Sequence, residues 1–193
     1  MLLYQSMIKS KKPKIVILQM GDPILREVSS PVPVSKIKTA EIKNLISDLG
    51  DAILSQSDAA AISAIQIGKP VRLFIISKRV FGFDSDASKD KKNKEDLIFI
   101  NPKIVKVSKA KQTLEEGCLS VRYVYGKVTR PEKVTLEALD QNGKKFSRGF
   151  SGLLAQIVQH ENDHLNGILF TDKATDLQEI SHEEYDEMLK NSK

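Results

Sequence analysis

The sequence predicts an α+β fold in which mainly antiparallel sheets surround a central helix, with a further helix at the C-terminus. Three observations predict it. Strand-like segments follow one another in meanders and do not alternate with helices. The two long helical patterns, near residues 39–56 and 151–166, are widely separated. The second of them carries two histidines on its apolar stripe. With 193 residues, 40% hydrophobic and 28% charged, the chain suits one globular domain spanning 1–193. Within it, residues 1–13 read as a basic extension and 172–193 as a helical tail.

"KIVILQ" (14–19) reads as a short strand and "GDPILR" as the turn after it, with Pro23 as punctuation. A helix is expected from Thr39 to Gln56, because Ile42, Leu45, Ile46, Leu49 and Ile53 fall on one face. "VRLFIIS" (71–77) and "LIFINPKIVKV" (97–107) read as strands, the second interrupted near Asn101 and Pro102. The polar run between them, 81–96, reads as an exposed, mobile loop. "KVTLEALD" alternates, with Val134, Leu136 and Ala138 on one face. "QNG" then supplies a hairpin turn and "KKFSRGF" returns. The histidine helix follows directly, and Ser181 with Glu184 forms a capping box for the terminal helix.

Composition excludes several classes. No apolar run approaches the roughly 20 residues that span a bilayer, so no membrane partner is expected. The start lacks a signal peptide's apolar segment and cleavage site. The expected compartment is therefore cytoplasmic, with an organelle second because no acid precedes Asp22. A net charge of +5 permits loose attraction to a ribosomal surface. No aromatic residue interleaves the lysine runs "KSKKPK" and "SKDKKNK", so no direct sequence-specific nucleic-acid binding is expected. The single cysteine, Cys118, excludes an intramolecular disulfide.

The chemistry centres on "QHENDHLNG" (159–167). Side chains at i and i+4 lie on one helix face, so His160 and His164 are placed to grip one ion. Glu161 sits beside the position of a metal-bound water and suits a general base, not a ligand. Ser151 is a good N-cap and Asn166-Gly167 a good stop. Leu153, Ile157, His160 and His164 continue one stripe, and buried imidazoles need polar partners that a shared metal supplies. A catalytic metal usually has three protein ligands. A third histidine six residues on is ruled out, because position 170 is Phe170. Two readings stay open: an HExxH metallopeptidase with Glu183 or Glu184 as third ligand, or Cys118 in "EEGCLS", whose thiolate suits Zn or Fe(II). Gly117 beside it would let the backbone approach a ligand or substrate.

"EEGCLS" together with "QHENDHLNG" resembles the second and third signature motifs of the peptide deformylases, EGCLS and HExDH. The likeness extends through "GDPILR", "IQIG", "INP" and "TRPEKVTLEALDQNGK", from about residue 14 to about 172. The resemblance implies a metal-dependent hydrolase that removes the N-formyl group from N-formylmethionyl nascent peptides and releases formate. It implies a divalent ion, physiologically Fe(II) with Zn or Ni substituting in isolated protein, held by Cys118, His160 and His164. By the same resemblance Glu161 accepts the proton of the attacking water and passes it to the leaving amine. The Leu119 backbone N–H and the Gln66 side-chain amide would stabilise the oxyanion.

The chain departs from the family at three places. Its first motif has the form GφGφAAxQ, and here "AAAISAIQ" puts Ala59 and Ala61 where the glycines stand. If those positions needed positive φ, alanine would be strained; if they needed room, the cleft would narrow. That loss motivates a further alternative, a non-catalytic deformylase-like binding protein. Gln156 replaces an apolar residue that lines the methionine pocket, and is expected to turn aside. The tail, with Glu179, Glu183, Glu184, Asp186 and Glu187, is acidic, which opposes ribosome docking through that helix.

Overall fold

The structure is a computed structural model that describes residues 15–83 and 95–191. Most of the predicted loop 81–96 therefore lies outside the described residues.

A helix, α1 (Ala40–Leu54), buries Ile42, Leu45, Leu49, Ala52 and Ile53, the stripe read from the sequence. It is followed by β1 (Ala61–Ser63), β2 (Leu73–Ile76) and the short α2 (Val80–Phe83). Next come β3 (Leu97–Val107), β4 (Lys111–Cys118), β5 (Val121–Pro131), β6 (Lys133–Leu139) and β7 (Lys145–Ser151). The central helix α3 (Gly152–His164), β8 (Thr175–Glu179) and α4 (His182–Asn191) complete the order. One five-stranded sheet runs β1-β2-β3-β6-β7 and a three-stranded sheet runs β4-β5-β8. Both are antiparallel throughout, as expected.

Side-chain alternation on the larger sheet separates two cores. Leu73, Ile75 and Ile100 face α1. Phe74, Ile76 and Phe99 face α3, where they meet Leu154, Ala155 and Val158. Phe74 and Phe99 stack with centroids 4.7 Å apart. The opposite side of α3 presents Gln156, Gln159, His160 and Asp163 to β4 and β5. The helix thus lies between the two sheets. Its stop is enforced at Gly167, φ +72°, where a Cβ would lie 2.4 Å from the Arg26 carbonyl oxygen. Among the described residues, no helix is long and apolar enough to cross a membrane.

Two local expectations change, and two strands are added. The segment expected as a strand at 14–19 joins no sheet within its described part. The chain is held here by two separate loops: Leu18 N–H donates to the Gln66 carbonyl and, just past the segment, Met20 N–H to that of Ser120. The tail, read as helical over 172–193, carries β8 ahead of its helix, paired to β5 through Glu179 and Gln178 opposite Val124 and Tyr125. Strands β4 and β5 had no sequence reading, because β4 is mostly exposed and polar and is a strand only by pairing with β5. The β3 interruption does appear, as a register shift after Ile100 with Asn101 at φ +53°. The Asn101 amide holds both backbone groups of Val32. The Ser181–Glu184 capping box is also present.

Candidate metal centre

The site is assembled from three elements that the tertiary fold brings together. The α3 backbone presents His160 and His164 one turn apart, with ring centroids 4.9 Å apart. The end of β4 supplies Cys118, whose Sγ lies 3.2 Å from His164 Nε2. The donor atoms of these three residues all lie within 4.8 Å of one another. Donors bound at about 2.0–2.3 Å around a tetrahedral ion sit roughly 3.3–3.6 Å apart, so the set fits a Zn- or Fe(II)-like ion.

The supporting groups were not legible in the sequence. His160 Nδ1 is 2.9 Å from Glu116 Oε2, which leaves Nε2 as the nitrogen for a metal. Arg130 grips Glu116 with two donors, Nε to Oε1 at 2.5 Å and Nη2 to Oε2 at 2.9 Å. Its third nitrogen donates to Asp163 at 2.8 Å, and Lys173 Nζ reaches Asp163 from outside at 2.7 Å. Burial would raise the Glu116 carboxyl, but the Arg130 and His160 contacts outweigh it and hold it at about 2. For His160, burial pulls downward while the Cys118 thiol and the Glu116 carboxylate pull upward and prevail. Burial pushes His164 well below its ordinary value, so its imidazole is neutral and offers a lone pair.

A cavity of about 310 Å³ opens on this cluster, lined in part by Gln66, Cys118, Leu119, His160 and Glu161. Burial raises the Glu161 carboxyl above its usual range, with His160 and the Ser63 hydroxyl pulling the other way. Gln66 Nε2 donates to Ser120 Oγ at 3.0 Å and lies 3.7 Å from Cys118 Sγ. The Leu119 carbonyl accepts from Gln19 Nε2 at 2.9 Å, so the segment 15–20 clasps the loops carrying both sequence-assigned oxyanion donors. All six residues singled out in the sequence therefore meet at one place.

Several sequence expectations are revised by this geometry. Leu153 was placed on the stripe of α3 that continues into the core, yet it is 39% exposed and lines the cavity with Ile157 and His160. Gln156 does not turn aside to solvent. It is buried and its amide donates to the Glu115 carbonyl and to Glu116 Oε1 while lining the cavity. A Cβ on Gly117 would meet the Tyr125 ring at 2.7 Å, so an aromatic side chain, not a ligand, takes that space. Neither Ala59 nor Ala61 has positive φ. Ala59 is packed in the α1 core and Ala61 lines the cavity, so only the Ala61 methyl takes room from the cleft, and neither residue strains the backbone. Glu184 caps its own helix at Ser181, and among the described residues only Cys118 completes a metal-binding group with the two histidines.

The wall opposite in sequence is the tail. Tyr185 and Met188 of α4 line the same cavity. Tyr185 donates to Asp58 at 2.5 Å and accepts from Arg122, which also bonds Asp58 at 3.0 Å and Gln56 at 2.5 Å.

A helix bearing His-Glu-x-x-His, met by a thiol at the wall of a cleft with an amide donor close by, defines the class: a metal-dependent hydrolase. The sequence profile of the polypeptide deformylases matches residues 15–179. The chain belongs to that family, whose members are metal-dependent and remove N-formyl groups from nascent peptides. It is 43% identical over 156 residues to the peptide deformylase of Psychrobacter cryohalolentis, covering 81% of this chain and 77% of that protein. Against the peptide deformylase of Rhizobium meliloti it is 40% identical over 161 residues, 83% of each. It resembles the Met-Ala-Ser-bound class I type b peptide deformylase of Acinetobacter baumannii, with TM-score 0.72 and 30% identity over 82% of this chain and 97% of that one. The corresponding values for the Legionella pneumophila peptide deformylase are 0.70, 37%, 83% and 86%.

Proposed function

We propose that this deformylase acts on N-formylmethionyl peptides with Fe(II) held by Cys118, His160 and His164, Zn or Ni substituting. The observation that carries the reading is the meeting of those three donors with Glu161 and Gln66 on one cavity. When bound, the ion lowers the pKa of a coordinated water and polarises the formyl oxygen. Glu161 takes the proton from the attacking water and delivers it to the amine of the departing peptide. The Gln66 amide and the Leu119 backbone N–H hold the developing oxyanion. Glu116 and Arg130 keep His160 in the ligating tautomer.

The test is formate release from a short formyl-methionyl peptide by anaerobically prepared Fe(II) protein. Turnover is expected, and none from a fully loaded protein would return the non-catalytic alternative. Cys118→Ser is expected to lower metal affinity at least tenfold, read by chelator competition. Unchanged metal content would remove Cys118 from the ligand set. Such a substrate places the enzyme where translation occurs, the cytoplasm or an organelle. The exposed acidic side chains of Glu183, Glu184, Asp186 and Glu187 on α4 oppose docking that helix on ribosomal RNA.

Gln156→Ile makes the wall apolar, and is expected to raise the preference for formyl-methionyl over formyl-seryl peptides roughly tenfold. A constant ratio would mean that the amide does not meet the substrate side chain. Tyr185→Ala opens the wall made by α4, and is expected to raise KM several-fold with kcat little changed. Unaltered KM would leave Tyr185 as tail anchorage alone.

A further inference from the structure

One fully buried residue touches both Glu161, assigned to proton transfer, and Gln66, assigned to oxyanion stabilisation. Ser63 ends β1 and is 0% exposed. Its hydroxyl lies 2.5 Å from Glu161 Oε2 and 3.2 Å from the Glu161 carbonyl. The carboxylate is the closer and stronger acceptor, so the proton points there. Its backbone N–H donates to Gln66 Oε1 at 2.8 Å. That bond fixes which way the Gln66 amide faces. With Oε1 turned to Ser63, Nε2 is the end left for the cavity side, where it lies near Ser120 Oγ and Cys118 Sγ. The carboxylate is oriented by the same logic: holding Oε2 sets the plane in which Oε1 lies.

Ser63 is itself held in place by the sheet. It pairs with Phe74 in the sheet, between the α1 and α3 cores. In the motif GφGφAAxQ its position is the first alanine, so the backbone contact to Gln66 needs no serine while the hydroxyl contact to Glu161 does.

We propose that Ser63 is a positioning residue for the hydrolysis: its hydroxyl orients the Glu161 carboxylate while its N–H orients the Gln66 amide, so one strand residue sets their spacing. This rests on the reading of Glu161 as the proton carrier. A general base acts only when its oxygen is within hydrogen-bond reach of the proton, and misplacement of about 1 Å can cost about 100-fold in rate. Loss of one of the contacts that orient Glu161 is the smaller disturbance, and about tenfold in kcat is expected.

The experiment is steady-state deformylation of a formyl-methionyl peptide by metal-loaded protein in four forms: parent, Ser63→Ala, Glu161→Gln and the double variant. Metal content and melting temperature are measured alongside. Alanine is smaller than serine and is the motif's own residue, so the variant is expected to fold. The expected result is kcat about tenfold lower in Ser63→Ala, with KM and metal content unchanged and no further loss when it is added to Glu161→Gln. Parental kcat in Ser63→Ala beside a crippled Glu161→Gln overturns the inference and leaves the base assignment standing. An independent tenfold loss in the double variant also overturns it, as does a loss of metal or a raised KM in place of a lowered kcat. Parental turnover in Glu161→Gln overturns the base assignment itself, and the role of Ser63 with it.

Discussion

Glu161→Gln is expected to retain the metal and lose turnover by about two to four orders of magnitude. Glutamine keeps the shape of the side chain and an oxygen that can accept from Ser63, but it cannot take up a proton. The environment makes the carboxylate suited to that task. Burial raises its proton affinity above the ordinary carboxyl range, while His160 and the Ser63 hydroxyl pull the other way. A group poised this way both accepts a proton from water and releases it to an amine. Metal analysis and formate release on the same preparation separate the two properties. Loss of metal along with activity would mean that Glu161 holds the site together and is not its base.

The second large effect is expected from Arg130→Leu. Arg130 is 5% exposed and is the sole described bridge between Glu116 of β4 and Asp163 of α3. Leucine leaves Glu116 facing His160 and the Gln156 amide without its bidentate partner, and leaves Asp163 to Lys173. Removing one member of a buried ion network costs about 3–5 kcal/mol, because the charge left behind stays desolvated. The same change frees the Glu116 carboxylate that holds His160, so metal affinity is expected to fall about 10- to 100-fold. Urea unfolding with chelator competition reads both. Stability within about 1 kcal/mol of the parent would show that water or Lys173 replaces the guanidinium.

Local pattern determined much of this protein. The 3.6-residue period placed His160 and His164 on one face of α3, and the apolar spacing set α1. Asp140 and Gly143 closed the β6–β7 hairpin, with Asp140 Oδ1 accepting from Asn142 and Lys144. Each depends on bonds between near neighbours, so a short stretch of residues contains the cause. The motif likeness chose Cys118 over the tail glutamates and added Gln66 and Leu119, and the fold gathers these three with Glu161 at the cavity.

The remaining features come from contacts between distant segments. Strands β4 and β8 are polar and exposed, and become strands because β5 offers its edges; no alternation in their own residues announces it. Ser63 reaches Glu161 across 98 residues, and Glu116 reaches His160 across 44. Such contacts arise when distant segments share one core. The partner that satisfies a buried polar group is fixed by which elements pack together, and residue spacing carries no record of it. The cleft wall has the same origin, since Tyr185 meets Asp58 across 127 residues only because β8 docks the tail on β5.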